Sequence, residues 1–475
     1  MDIKKSFRDG ILFTAIGKYS NVIIQLVITT ILSRLISPTE YGIVAVVNVF
    51  LVFFQILADS GIGPAIIQNK ELTSRDINNI FSLTVFTGAI LGIAFVILGQ
   101  PISLLYDNVI YTKLCLLLGI CVFFYTITIV PQSVLNKSLK FKQVSLLTLC
   151  ANVLSGILAI IFAFSGFGVY TLVLSNIIKA FVIFVLLYSQ VSLKFYFRLD
   201  KSSLLKIFDF AKFQFFSNFL NYFARNLDNL LIGSVFSSAA LGYYDKSYQL
   251  SLYPNQILSQ VITPAIHPIM SNFSDDRKKM SDVFFKISSV MIMVGIPIST
   301  FLIFNARDII LIMFGDNWIP SVDSFKILSA SIWLQMANSF LSSFYQATNN
   351  AKTLFKVGVV TSTLNVVAIL VGVFFGSIET VALALLVSFT FVLVITIYFL
   401  QKLINFSIFN YLKIILVNSI CILPFVVFNV FFINLELKAF YNFAVEAILL
   451  VGTWGIMMLI TGNYKQLLFL IKNKR

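Results

Sequence analysis

Residues 208–236 form a stretch long and apolar enough to cross a bilayer, yet a polar side chain returns at each turn of the helix it would make. Gln214, Asn218, Asn221, Arg225 and Asn229 are spaced four, three, four and four residues apart. That spacing sets them on one face of an α-helix. Asp228 follows Arg225 by three residues and can pair with it on that face. An arginine at the centre of a spanning helix costs about 2.5–3.5 kcal/mol on insertion scales, so such a residue faces a bundle interior or a watery cavity. The stripe therefore predicts a cavity wall rather than a lipid-facing helix.

The same stripe occurs 200 residues earlier, as Thr14, Lys18, Asn21, Gln25 and Thr29. The offset also relates Asp9 to Asp209, Phe13 to Phe213, Ser37 to Ser237 and Gly42 to Gly242. Ile62, Pro64, Ala65 and Ile66 match Ile262, Pro264, Ala265 and Ile266. A register held this long without a gap reads as an internal duplication, which is a mark of transporter folds. The two striped helices are expected to open each half and to face each other across a central cavity.

Composition agrees. Of the 475 residues, 59% are hydrophobic and 11% charged, with a mean hydropathy of +0.94, whereas soluble chains carry about 25% charged residues. The fold class expected is an all-α polytopic membrane protein. Fourteen spans are expected, at about 10–32, 42–61, 79–98, 114–135, 144–164, 168–188, 208–233, 241–266, 283–304, 322–345, 354–375, 379–400, 412–432 and 440–461. They group as an N-terminal six-helix lobe (1–200), a C-terminal six-helix lobe (201–401), and a further helix pair with a basic tail (402–475). The apolar run after Lys4, Lys5 and Arg8 is too long for a signal-peptide core and is expected to remain as the first span.

With alternating spans and the N-terminus in the cytoplasm, 23 lysines and arginines fall in inside segments and four (Arg34, Lys113, Arg307 and Lys438) in outside segments. This bias predicts that both termini are cytoplasmic. It also accounts for the net charge of +14 without nucleic acid, whose binding calls for cations clustered on one face. Cys115, Cys121, Cys150 and Cys421 lie in apolar segments and read as buried thiols. The single histidine, His267, cannot make a metal cage alone. No metal and no cofactor are expected, and no G-x-x-x-x-G-K motif is present for nucleotide hydrolysis.

Lys286 and Lys326 lie near span ends and can snorkel to the interface, and Lys212 lies near an end as well. Lys18, Lys179 and Arg225 lie too deep for that, and their excess over acids suggests an anionic cargo. Asp59, Asp228 and Glu446 are the candidates for ion coupling among the carboxylates of the spans. Asp59, near the cytoplasmic end of the second span, reads equally as a helix-end group with a solvent path, and Asp245 sits just inside the eighth. Tyr243, Tyr244, Tyr248 and Tyr253 precede Pro254 in the eighth span. They read either as interface anchors or as a surface for sugars, which need apolar faces and hydrogen bonds together. The cavity set is then Lys18, Asn21, Gln25, Lys179, Asn218, Asn221, Arg225 and Tyr248.

Several stretches resemble a known family. Residues 33–42 (SRLISPTEYG), 58–63 (ADSGIG) and 65–68 (AIIQ) do so, as do 225–228, 241–243, 314–318 and 346–348. They resemble the polysaccharide (Wzx-type) repeat-unit flippases of the multidrug/oligosaccharidyl-lipid/polysaccharide exporter superfamily. The resemblance covers most of the chain and thins after about residue 400. It implies two six-helix lobes around a central cavity, often with two further helices. It implies movement of undecaprenyl-pyrophosphate-linked oligosaccharide from the inner to the outer leaflet of the bacterial cytoplasmic membrane, for capsule, exopolysaccharide or O-antigen. It implies no enzymatic step. Arg225 and Lys18 would engage the pyrophosphate or anionic sugars, and residues 412–461 would shelter the lipid tail. Expected partners are the lipid-linked oligosaccharide, membrane lipids, and polymerase and other polysaccharide-assembly proteins. The alternatives are a cation-coupled drug or metabolite exporter of the same superfamily and a polytopic polysaccharide polymerase. The first calls for an acid-rich pocket, and the second for an external loop longer than residues 305–321. A scaffolding role would not require cations at mid-membrane.

Overall fold

The computed structural model describes residues 3–59, 61–197, 222, 226–271, 276–348, 350–432 and 439–462. The regular structure among them is helical. Ten of the described helices are long and apolar enough to cross a membrane, and they coincide with ten of the fourteen expected spans. Of the other four, the striped span at 208–233 lies mostly outside the described residues. The spans at 10–32 and 241–266 fall in long helices carrying Lys18 and the pair Asp245 and Lys246. The fourth, 322–345, is broken.

The chain divides into two compact units, residues 1–242 and 243–475. Unit 1 contains α1 (Ile3–Leu35), α2 (Pro38–Asp59), α3 (Ile62–Gln68), α4 (Ser74–Leu105), α5 (Ile110–Lys137), α6 (Phe141–Phe164) and α7 (Val169–Tyr188). Residues 226–235 are also helical. Helix α4 starts with a capping box. The Thr73 hydroxyl accepts from the Asp76 N–H, and the Asp76 carboxylate accepts from the Thr73 N–H, which satisfies two otherwise orphan donors. Small residues then let α4 and α5 close on each other. A Cβ on Gly92 would sit 2.8 Å from the Gly119 carbonyl oxygen, and the converse distance is the same. Helix α7 packs on α5 and α6, and α1 packs on α6. Two tyrosines fix the segment before residue 238 within this unit. Tyr222 Oη donates to the Val49 carbonyl (2.6 Å), and Tyr106 Oη donates to the Leu230 carbonyl (3.0 Å).

The helix beginning α8 (Ser238–Ser271) carries the chain into unit 2. There follow α9 (Arg277–Phe304), α10 (Ala306–Met313), α11 (Val322–Ala330), α12 (Ile332–Asn338), α13 (Leu341–Ala347), α14 (Ala351–Phe374), α15 (Ile378–Ile404), α16 (Ile408–Phe432) and α17 (Ala439–Thr461). The expected span at 322–345 is thus three short helices. Its serines explain the breaks: Ser331 Oγ donates to the Leu328 carbonyl, and Ser299 Oγ on α9 donates to the Ser329 carbonyl and accepts from the Trp333 N–H. Side-chain hydroxyls take the place of the helical ladder at that point. The core beside it is aromatic: Phe284 lies tilted against Phe406 with centroids 4.4 Å apart, stacks on Tyr411, and also contacts Phe340 and Phe344.

Candidate functional site

Unit 1 contains a half-open cavity of about 160 Å³ between α1, α6 and α7. The α1 wall is the first polar stripe: Asn21, Gln25 and Thr29 line it, with Ile24 and Ile28 between them and Leu32 beyond. Helix α6 contributes Asn152, Ser155 and Gly156, and α7 contributes Ser175, Asn176 and Lys179. Three residues predicted from sequence, Asn21, Gln25 and Lys179, are therefore brought together. Lys18 is exposed on α1, one turn before Asn21, and is not part of the lining.

Local packing makes the space. Gly156 lets α6 approach α1, since a Cβ there would meet the side chain of Ile28 at 2.0 Å from Cδ1 and 2.8 Å from Cγ1. The helices are joined across the cavity by Asn152 Nδ2, which donates to Asn21 Oδ1 at 2.6 Å. That bond leaves Asn152 Oδ1 without a partner. The hydroxyls of Ser155 and Ser175 return to carbonyls of their own helices, so they add polarity without bridging. Lys179 is the eleventh residue of the twenty in α7, and Asn152 the twelfth of the twenty-four in α6. Both are mid-helix, out of snorkelling range. The lining holds one cation and no acid among the described residues. Chemically it offers amide and hydroxyl hydrogen bonds plus one positive charge, a set that fits an anionic, hydroxylated group.

Asn152, Ser155, Ser175 and Asn176 belong to this wall and were not singled out from sequence. The signal was there: Asn152 and Ser155 lie three apart, and Ser175 and Lys179 four apart, so each pair shares a face.

Of the other predicted residues, Asn218, Asn221 and Arg225 lie outside the described residues. Asp228 is 2% exposed, and its Oδ1 accepts from the Asn229 N–H. Tyr248 lies in unit 2, stacked on Tyr244 with centroids 6.0 Å apart and planes 7° apart. Asp59 ends α2 beside a left-handed Gly61, and its Oδ1 accepts from the Gly63 N–H at 3.2 Å. The carboxylate there caps the start of α3. Glu446 is buried in unit 2 against Asn305.

A bundle of apolar helices with a polar, cation-bearing cavity at mid-helix defines a multi-pass membrane transporter. Residues 31–323 match the polysaccharide biosynthesis protein family. The chain belongs to that family, whose members are transporters rather than enzymes. It is 26% identical over 330 residues to teichuronic acid biosynthesis protein TuaB of Bacillus subtilis (strain 168), spanning 69% of this chain and 68% of TuaB. It is 21% identical over 380 residues to lipopolysaccharide biosynthesis protein WzxC of Escherichia coli (strain K12), spanning 78% and 76% respectively. Among solved structures, lipid II flippase MurJ in an inward closed conformation superposes with a TM-score of 0.75 at 18% identity, covering 96% of this chain and 100% of MurJ. An inward-facing multidrug resistance transporter of the MATE family superposes with a TM-score of 0.63 at 14% identity, covering 82% and 98%. The fold is of the MurJ and MATE type.

Proposed function

We propose that the protein is a flippase that moves undecaprenyl-pyrophosphate-linked oligosaccharide repeat units from the inner to the outer leaflet of the bacterial cytoplasmic membrane. The units would serve capsule, exopolysaccharide or O-antigen synthesis. The observation that carries this reading is the cavity of unit 1, with Lys179 and Asn152 at mid-helix and no acid in the described lining. A pyrophosphate and its sugars lose water on entering hydrocarbon and need replacement hydrogen bonds. The amides of Asn21, Asn152 and Asn176 supply them, and Lys179 supplies the charge. The lipid tail stays in the bilayer while the head group passes along the polar wall. TuaB is named for teichuronic acid biosynthesis and WzxC for lipopolysaccharide biosynthesis, and a further relative, ExoT of Rhizobium meliloti (strain 1021), is named a succinoglycan biosynthesis transport protein.

The finer architecture is part of the proposal: fourteen spans, two six-helix lobes at 1–200 and 201–401, a terminal pair in 402–475, and both termini cytoplasmic. So are the remaining cavity residues Lys18, Asn218, Asn221, Arg225 and Tyr248, the coupling carboxylates Asp59, Asp228 and Glu446, and polymerase and assembly proteins as partners. A drug exporter for cationic cargo fits less well, because its cargo would meet the like charge of Lys179.

The test is Lys179→Ala expressed in cells lacking the native chain. Surface polysaccharide is expected to fall by more than tenfold with unchanged amounts of the protein in the membrane, and Lys179→Arg to retain part of the activity. Full export by Lys179→Ala would remove this cavity from the transport path.

A further inference from the structure

Unit 2 holds a second buried polar cluster, built from none of the residues that line the cavity of unit 1. Asn305 ends α9, and Asp308 lies in the first turn of α10. Asn429 lies in the last turn of α16, and Asn442 and Glu446 lie one turn apart at the start of α17. These five side chains converge. Asn305 Nδ2 donates to Glu446 Oε2, and Asn442 Nδ2 donates to Asp308 Oδ2. Asn429 and Asn442 also flank the Glu446 carboxyl, and Asp308 adds a like charge beside it. Glu446 is 3% exposed and Asn305 1% exposed, while Arg307, next to Asp308 in the chain, is exposed.

The leftover atoms are informative. The amide nitrogens of Asn305 and Asn442 are spent on carboxylates, while Oδ1 of Asn305, Oδ1 of Asn442 and the Nδ2 donor of Asn429 have no hydrogen-bond partner. Two carboxylates and two unmatched amide oxygens thus share one site. Buried oxygens without a donor are costly, and neighbouring carboxylates repel. A small cation at the centre would relieve both. The ligands of the site would be oxygen only. Among the described residues no three histidine, cysteine or acidic side chains come together to hold a metal ion, so the two amide oxygens would have to complete the set with the two carboxylates. Hard oxygens select hard cations.

We propose that Asn305, Asp308, Asn442 and Glu446 bind a hard cation, sodium or an alkaline-earth ion, that fastens the terminal helix pair to α9 and α10. On the expected topology the cluster lies at the outer end of its helices, where external cations have access. The site shares Glu446 with the proposed ion coupling but touches no cargo residue, and its test reads cation binding without transport, so its failure leaves the flippase reading standing.

The experiment is thermal unfolding of the full-length purified protein in detergent, in choline chloride, sodium chloride, calcium chloride or magnesium chloride at equal ionic strength. A ligand that binds only the folded state raises the melting temperature in a saturable way. One of the metal cations is expected to raise it by several degrees over choline, and the identity of that salt names the ion. Glu446→Gln and Asp308→Asn are each expected to abolish the increment, with melting in choline left cooperative. Equal melting in all four salts overturns the proposal. So does an increment that survives in both variants, which places the ion elsewhere, or a stability that follows pH alone, which makes the cluster a protonated structural contact.

Discussion

Gly42 and Gly242, 200 residues apart, pack each against the helix start that carries the other. A Cβ on Gly42 would fall 1.6 Å from the Ser238 carbonyl oxygen, and one on Gly242 would fall 2.0 Å from the Pro38 carbonyl oxygen. The contact is reciprocal: 42 meets 238, and 242 meets 38. The sequence offset of the duplication is thus realised in space as a near-symmetric crossing within unit 1. The obstacle on either side is main chain, which cannot swing aside as a side-chain tip can. Gly42→Ala and Gly242→Ala are each expected to cost about 1–3 kcal/mol or more through overpacking. Gly358→Ala and Gly452→Ala, with nothing within 4 Å of the added Cβ, should be neutral or stabilise by about 0.5–1 kcal/mol through helix propensity. Thermal unfolding of the four variants in detergent separates the two outcomes.

Filling the cavity is expected to stop transport without unfolding the protein. Leucine at Gly156 would force Ile28 off its place on α1 and into the space lined by Asn21 and Lys179. Gly156→Ala needs only the Cγ1–Cδ1 arm of Ile28 to swing aside. Surface polysaccharide should therefore fall severalfold with Gly156→Leu and little with Gly156→Ala, at matched amounts in the membrane. Equal export by both variants would show that the cargo does not use this space.

The bond between Asn21 and Asn152 should appear as a coupling energy. Hydrogen bonds between membrane helices contribute about 0.6–2 kcal/mol. A double-mutant cycle of Asn21→Ala and Asn152→Ala, read by thermal or denaturant unfolding, should return about 1 kcal/mol. Strict additivity would mean that the two amides do not hold α1 against α6.

Asp276 gives a pH dependence whose sign is fixed by the helix it caps. Its carboxylate accepts from the Lys279 N–H at 3.0 Å and sits 3.2 Å from Lys279 Nζ. The backbone hydrogen bond from Lys279 and then its side chain hold the carboxyl below the usual range. A depressed folded value means that the stabilisation is present above the unfolded value of about 3.9 and is lost as pH falls through the folded one. Amide exchange at residues 277–280 is expected to accelerate relative to the helix interior as pH drops below about 4, an effect absent in Asp276→Asn.

The parts legible in the sequence are those a spanning helix cannot turn to lipid. Asn21, Gln25 and Lys179 meet in one cavity because a stripe at helical spacing and a lysine at mid-span each exclude a lipid-facing position. Asn152 and Asn176 carry no charge, and a single amide in an apolar run does not say which neighbour it faces. Only the packing of α6 on α1 and α7 reveals that. The break of the span at 322–345 was written in Ser299 as much as in Ser331, and a partner on another helix is invisible to periodicity. Asp59 reads from sequence as an acid near a span end, and only the backbone geometry shows that it caps the turn at Gly61.

The central claim is that lipid-linked repeat units cross the membrane through this protein. The direct measurement is the leaflet occupied by those units in cells lacking it, read by an impermeant reagent that labels or cleaves exposed sugars. The account predicts complete units confined to the cytoplasmic leaflet, with normal distribution restored by the wild-type chain and not by Lys179→Ala. Unpolymerised units accumulating on the outer leaflet would contradict it and point to a polymerase. An unaltered lipid-linked pool, with changed sensitivity to cationic dyes, would contradict it in favour of a drug exporter.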